Sequence, residues 1–201
     1  MNEGKRIGLL GGSFNPAHRG HLHISLAALD RLGLDQVWWL VSPQNPLKPA
    51  SGMASYEARS ASAEAHADDP RITVSHFERE HGTRYTADTL RALKSAHPDK
   101  RFVFLIGADN LIQFHKWRQW RRIFRLIPIA VFPRPSYSMR ALASRAARRF
   151  ERRRVPELHA KRLVGKDAPA WMFLHIAPDA SSATKIRAKL TRLRNGICRI
   201  E

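Results

Sequence analysis

Six short apolar runs, each stopped by a loop and separated from the next by a stretch with helical spacing, constrain the fold of this chain most strongly. They are Arg6-Ile7-Gly8-Leu9-Leu10, Val37-Trp38-Trp39-Leu40-Val41, Ile72-Thr73-Val74, Arg101-Phe102-Val103-Phe104-Leu105-Ile106, Pro128-Ile129-Ala130-Val131-Phe132 and Trp171-Met172-Phe173-Leu174-His175-Ile176. A run that is apolar throughout, rather than alternating, is a strand buried on both faces, and strands alternating with helices build parallel sheets. The pattern predicts a doubly wound α/β fold with a mainly parallel sheet, without repeats or low-complexity linkers, as a single domain over residues 1–201. Predicted helices follow His21, where Leu22, Leu26, Leu29 and Leu32 recur before Gly33, and span Ser55 to Ala67 and Thr86 to about Ala96. In such sheets ligands sit beyond the carboxyl ends of the strands, which places the chemistry near residues 11 to 21, 107 to 109 and 181 to 187.

Composition narrows the setting. Neither a membrane-spanning apolar run nor a signal-peptide pattern is present, and Cys198 is the sole cysteine, so neither an internal disulfide nor a cysteine metal cage can form. A cytoplasmic protein is expected. The formal net charge of +18 favours polyanionic partners, which include polynucleotides and phosphorylated small molecules alike. Arg140, Arg145, Arg148, Arg149, Arg152, Arg153, Arg154, Lys161, Arg162 and Lys166 crowd one stretch, for which a solvated face is the simpler account.

Directly after the first run comes Gly11-Gly12-Ser13-Phe14-Asn15-Pro16-Ala17-His18-Arg19-Gly20-His21. Two glycines permit close backbone approach, Ser13 adds a hydroxyl beside exposed amides, and a helix beginning at Arg19 lets His18 and His21 face a ligand over its amino end. The spacing fits neither a dinucleotide fingerprint nor a Walker loop. A Gly-Gly turn alone is only a turn, and a lone histidine is commonly structural; the combination after a strand is what points to phosphate.

The segment from Gly12 to His21 resembles the signature of the HxGH nucleotidyltransferase superfamily, which transfers adenylyl or cytidylyl groups from nucleoside triphosphates. Ser182-Ala183-Thr184-Lys185-Ile186-Arg187 is similar to its second, serine-rich helix start. Tyr85-Thr86-Ala87-Asp88-Thr89-Leu90, and Ile106-Gly107-Ala108-Asp109-Asn110-Leu111 followed by Trp117, resemble the nicotinate-nucleotide adenylyltransferase family in particular. That resemblance implies a Rossmann-like fold and transfer of adenylyl from ATP to nicotinate mononucleotide, giving deamido-NAD and pyrophosphate. It implies ATP binding by Gly12, Ser13, Phe14, His18, His21, Gly107, Asp109, Ser182, Thr184 and Arg187, with His18, His21 and Arg187 stabilising the reacting phosphates. Lys48, Thr86, Trp117 and Arg134 fall to the mononucleotide, with Trp117 stacked on the pyridine ring. Mg2+ is expected on the triphosphate, with no protein ligand.

Two positions depart from the family pattern: Leu47 stands in Pro46-Leu47-Lys48 where the family has histidine, and Asn15 stands where aspartate is more common. Competing readings are a sister adenylyltransferase acting on pantetheine phosphate, an enzyme preferring the amidated mononucleotide, and a nucleic-acid-binding protein without activity. Trp117 and the segment from Gly107 to Leu111 argue against the first, and the two phosphate motifs against the last.

Overall fold

The computed structural model describes residues 4–43, 52–135, 137–177, 179, 181, 183–184 and 186–188. Its centre is a six-stranded sheet of β1 (Arg6–Gly12), β2 (Gln36–Val41), β3 (Ile72–Ser75), β4 (Arg101–Gly107), β5 (Ile129–Phe132) and β6 (Trp171–Phe173). The order is β3-β2-β1-β4-β5-β6, and every pairing is parallel. The order reverses between β1 and β4, which lie side by side with Ile7 opposite Phe102 and Leu10 opposite Leu105. Both strands leave the sheet at the same edge, so their following loops meet over one crevice.

The continuous apolar runs are explained by two cores. Ile7, Leu9, Phe102, Phe104, Ile106, Ile129, Val131, Trp171 and Phe173 face one side, and Val37, Trp39, Val103, Leu105, Ala130 and Met172 face the other. That alternation is the pleat of a strand whose two faces are both covered. The first face is covered by α4 (Thr86–Ala96), α5 (Ala108–Gln113) and α6 (Trp120–Leu126), through Leu90, Leu93, Leu111, Ile123 and Phe124. The second is covered by α1 (Arg19–Leu32) and α2 (Tyr56–His66). Each such buried large side chain contributes roughly 1.5–3 kcal/mol of transfer free energy. Gly8 leaves room for this packing, since a Cβ there would lie 2.8 Å from Leu34 Cδ1 and 2.9 Å from Leu105 Cδ1 and would push both side chains aside.

Two expectations change. The buried stripe of α1 is Gly20, Ile24, Ser25, Ala28, Leu29 and Leu32, whereas Leu26 is 38% exposed. Leu26 follows Ile24 by two residues, about 200° around the helix, so it cannot share that stripe. The last strand stops at Phe173, three residues earlier than expected. A short helix, α3 (Phe77–Glu80), occupies a segment without helical periodicity, and it buries Phe77 and Glu78. All ten cations of the basic stretch are exposed, while Ala141, Ala146, Ala147 and Phe150 between them are buried. No described helix is long and apolar enough to cross a membrane.

Candidate functional site

The crevice at the carboxyl ends of β1 and β4 has two halves, divided by Gly11-Gly12-Ser13. On one side the chain turns through Phe14 and enters α1, with His18 as the residue before its first turn, in extended backbone geometry. His18 Nδ1 accepts from the Gly20 amide at 3.1 Å, and His21 Nδ1 accepts from the His18 amide at 3.2 Å. The two imidazoles thus do for α1 what hydroxyl and carboxylate side chains usually do at a helix start. Because each Nδ1 accepts, the neutral rings carry their protons on Nε2. The ring centroids are 3.9 Å apart.

Burial, reinforced by the nearby Arg134 charge and offset in part by Asp179, lowers the pKa of His18 to about 4. His21 is held well below the usual histidine range by burial first, then by His18 and Arg134. With pKa values lowered in this way, both rings are neutral hydrogen-bond donors at pH 7. An incoming polyphosphate would favour their protonated forms, since opposite charge raises a histidine pKa.

Phe14 has a left-handed backbone (φ 46°), is 1% exposed and stacks on Trp39 at 5.2 Å. Its ring is part of the loop's own core. Arg187 donates through Nη1 to the Asn15 carbonyl, and its Nη2 lies 3.5 Å from Thr184 Oγ1. Residues 183, 184 and 186–188 are helical, so Thr184 and Arg187 close over the loop from the far end of the chain. The Asn15 side chain donates through Nδ2 to the Gly52 carbonyl and accepts at Oδ1 from the Ala54 amide, both at 3.3 Å; a carboxylate could make only the second of these bonds. Ser182 and Lys48 lie outside the described residues.

Gly107 ends β4, and Asp109 sits in the first turn of α5. Asp109 Oδ1 is buried without a hydrogen-bond partner among the described residues, with Arg134 Nε 3.7 Å away. That distance is an ion pair rather than a hydrogen bond. Arg134, expected beside the mononucleotide, therefore stands with Asp109 and the histidines.

On the other side of Gly11-Gly12-Ser13 lies a cavity of about 420 Å³ whose walls include Thr86, Trp117, Phe104, Ser42 and Glu78. Trp117 follows a short 3-10 turn that sets its ring on Phe114 at 4.7 Å and edge-on to Phe104 at 6.3 Å. Its Nε1 is buried and has no partner among the described residues. Thr86 begins α4, and no side chain caps that helix.

Two buried ionisable groups were not foreseen from the sequence. Glu78, 9% exposed, accepts from Thr89 Oγ1 at 3.1 Å; burial pushes its pKa up to about 7 against the pull of Thr89 and Ser42. Arg59, 2% exposed, lies on α2 among alanines and serines. Neither carries a local signal, because each is held by segments distant in sequence.

The sequence matches the cytidylyltransferase-like family over residues 9–189. It is 53% identical over 189 residues to a probable nicotinate-nucleotide adenylyltransferase of Parvibaculum lavamentivorans, covering 94% of both chains. It is 52% identical over 184 residues to a protein of the same description from Methylorubrum extorquens, covering 92% of this chain and 100% of that one. Among solved structures, the Plasmodium falciparum nicotinic acid mononucleotide adenylyltransferase complexed with NaAD superposes with a TM-score of 0.67 at 17% identity, over 92% of this chain and 83% of that one. The last similarity concerns the fold.

Proposed function

The chain belongs to the nicotinate-nucleotide adenylyltransferase family, within the cytidylyltransferase-like proteins, and we infer that it moves the adenylyl group of ATP onto nicotinate mononucleotide. The products are deamido-NAD and pyrophosphate, and the reaction is a step of NAD biosynthesis. The observation that carries this reading is the two-sided crevice: a loop with two Nε2–H donors on one side of Gly11-Gly12-Ser13, and a cavity bearing Trp117 and Thr86 on the other.

A 5′-phosphate oxygen of the mononucleotide attacks the α-phosphorus of ATP in line, and the bond from that phosphorus to the bridging oxygen of the β-phosphate breaks. A phosphate monoester is already a nucleophile near neutral pH, so positioning and charge stabilisation carry the rate rather than a general base. In this reading His18 and His21 donate to triphosphate oxygens, and Gly12 and Ser13 bring backbone against them. Arg187 and Thr184 approach from the opposite side, and Arg134 adds charge there rather than in the mononucleotide half. Asp109, whose buried oxygen lacks a donor among the described residues, accepts from the adenosine ribose. Trp117 stacks on the electron-poor pyridine, an interaction worth roughly 0.5–1.5 kcal/mol beyond burial, and Thr86 binds the mononucleotide.

Mg2+ would be carried by the triphosphate itself, and the charge neutralisation it would supply would add to that of His18, His21, Arg134 and Arg187. The donors around the loop are imidazoles, amides, a hydroxyl and guanidinium groups, which suit phosphate oxygens better than a hard cation. The polyanions served by the basic surface are then the two substrates, with no polynucleotide, in the cytoplasm.

Pyrophosphate release is the test. It should require ATP and mononucleotide together, proceed faster with the nicotinate than with the nicotinamide form, and be unaffected by added polynucleotide. Release with ATP alone, or with pantetheine phosphate as the acceptor, would overturn the reading.

A further inference from the structure

Arg59 lies behind the crevice, bonded to residues that line the cavity without itself lining it. Its guanidinium is spent on carbonyl groups from three separate segments. Nη1 donates to Ser13 at 2.8 Å and to Ser42 at 2.7 Å, Nη2 to Pro43 at 2.7 Å, and Nε to Ala54 at 3.1 Å. No carboxylate lies within ion-pair distance among the described residues, and the nearest flat contact is the Tyr56 ring, with the guanidinium carbon 5.5 Å from its centroid.

A buried cation satisfied only by neutral carbonyls is an expensive arrangement, because burial removes hydration that dipoles replace only in part. The carbonyls it collects are informative. Ser13 belongs to the phosphate-facing loop, Ser42 and Pro43 follow β2 at the wall of the mononucleotide cavity, and Ala54 precedes α2. Ser42 is also joined to the loop by its amide, which donates to the Gly12 carbonyl at 2.9 Å. Turning the Ser13 carbonyl down onto the guanidinium fixes the peptide plane that follows it, at the point where the loop approaches its ligand. The planar fork can hold several acceptors at fixed angles, which an ammonium on a flexible stem cannot.

We propose that Arg59 is a positioning residue that locks the phosphate-facing loop to the wall of the mononucleotide cavity, so that the two substrates meet at a fixed separation. The proposal rests on the adenylyl-transfer reading for its consequence but not for its first readout. ATP binding to the protein alone, followed by calorimetry, measures whether the loop is held. The dissociation constant should rise roughly tenfold in R59K, which keeps charge without the fork, and roughly a hundredfold in R59Q, on the scale by which small misplacements act.

In steady state, R59K should lose kcat as well as raise both KM values, and millimolar methylguanidinium should restore part of the activity of R59A. A purely architectural arginine would lower the melting temperature of R59K and R59Q while the folded fraction kept wild-type ATP affinity and wild-type kcat, and that result would overturn the proposal. Should R59Q fail to fold, R59K decides: unchanged ATP affinity and kcat in its folded fraction overturn the proposal, and losses in both support it. A wild-type protein that binds ATP yet releases no pyrophosphate with nicotinate mononucleotide would instead refute the adenylyl-transfer reading, leaving the binding comparison intact.

Discussion

Replacing Glu78 with glutamine should change how the protein's stability responds to pH, by an amount the structure sets. Glu78 titrates near 7 when folded, against 4.5 for an ordinary glutamate, because burial penalises its charged form. Between those values the folded chain holds a proton that the unfolded chain has released. Stability from this group is therefore fully present below pH 4.5 and is lost as pH rises through 7. Each pH unit inside the window is worth about 1.4 kcal/mol, so going from pH 7.5 to 5.5 should stabilise the wild type by about 2 kcal/mol through Glu78 alone.

His18 acts in the opposite direction. Its folded pKa is about 4, below the ordinary 6.5, so its contribution is present above pH 6.5 and is lost as pH falls towards 4. Over the same interval that removes about 1.4 kcal/mol, and the two groups nearly cancel in the wild type. E78Q removes one side of the balance. Its melting temperature should fall on acidification to pH 5.5, diverging from the wild-type curve by roughly 4–8 °C for a chain of this size. H18Q should diverge in the other direction. Thermal melts by circular dichroism at half-unit pH steps measure both, and wild-type and E78Q curves that run parallel would refute the assignment of a buried, proton-holding Glu78.

Three further outcomes follow from the crevice. H18A should fold normally and lose roughly 100-fold or more in kcat, the usual cost of deleting one positioned donor to a developing charge; stopped pyrophosphate assays measure it, and near-normal turnover would contradict the role given to His18. W117A should raise KM for nicotinate mononucleotide about tenfold while leaving ATP affinity nearly unchanged, which separate calorimetric titrations with the two substrates distinguish. G107A should weaken ATP binding, because its Cβ would lie 2.3 Å from Asp109 Oδ1 and 3.2 Å from Arg134 Nε and so displace the pair; an unaltered ATP affinity would argue against a role for Asp109 at the ribose.

Much of the architecture was legible in the linear chain for reasons that stay local. A strand buried on both faces must be apolar at consecutive positions, and Phe102 to Ile106 divides its side chains alternately between the two cores. The start of α4 at Thr86 and of α1 at Arg19 could be read from nearby residues. The stripe of α1 could not be read from its leucines alone, because which face turns inward is decided by what the helix packs on: Ile24 and Ala28 are buried, Leu22 packs at the margin of the core, and Leu26 is exposed. The short helix α3 had no periodic signal to give, since four residues make barely one turn.

The same division applies to the crevice. Sequence alone determined that a glycine turn with a pair of histidines would emerge at the carboxyl end of the first strand and Gly107 with Asp109 at that of the fourth, since spacing along a strand-loop-helix unit fixes where such residues emerge; Trp117 enters only through the family resemblance. Tertiary structure decided their chemical state. His18 and His21 are neutral because distant segments exclude water from them and set Arg134 nearby, and Arg134 joins Asp109 rather than Trp117. Glu78 keeps its proton up to about pH 7, and Arg59 gathers carbonyls from Ser13, Ser42, Pro43 and Ala54, for the same reason. Charge state and hydrogen-bond partnership depend on desolvation and on groups brought close in space, and neither is written in the neighbours along the chain.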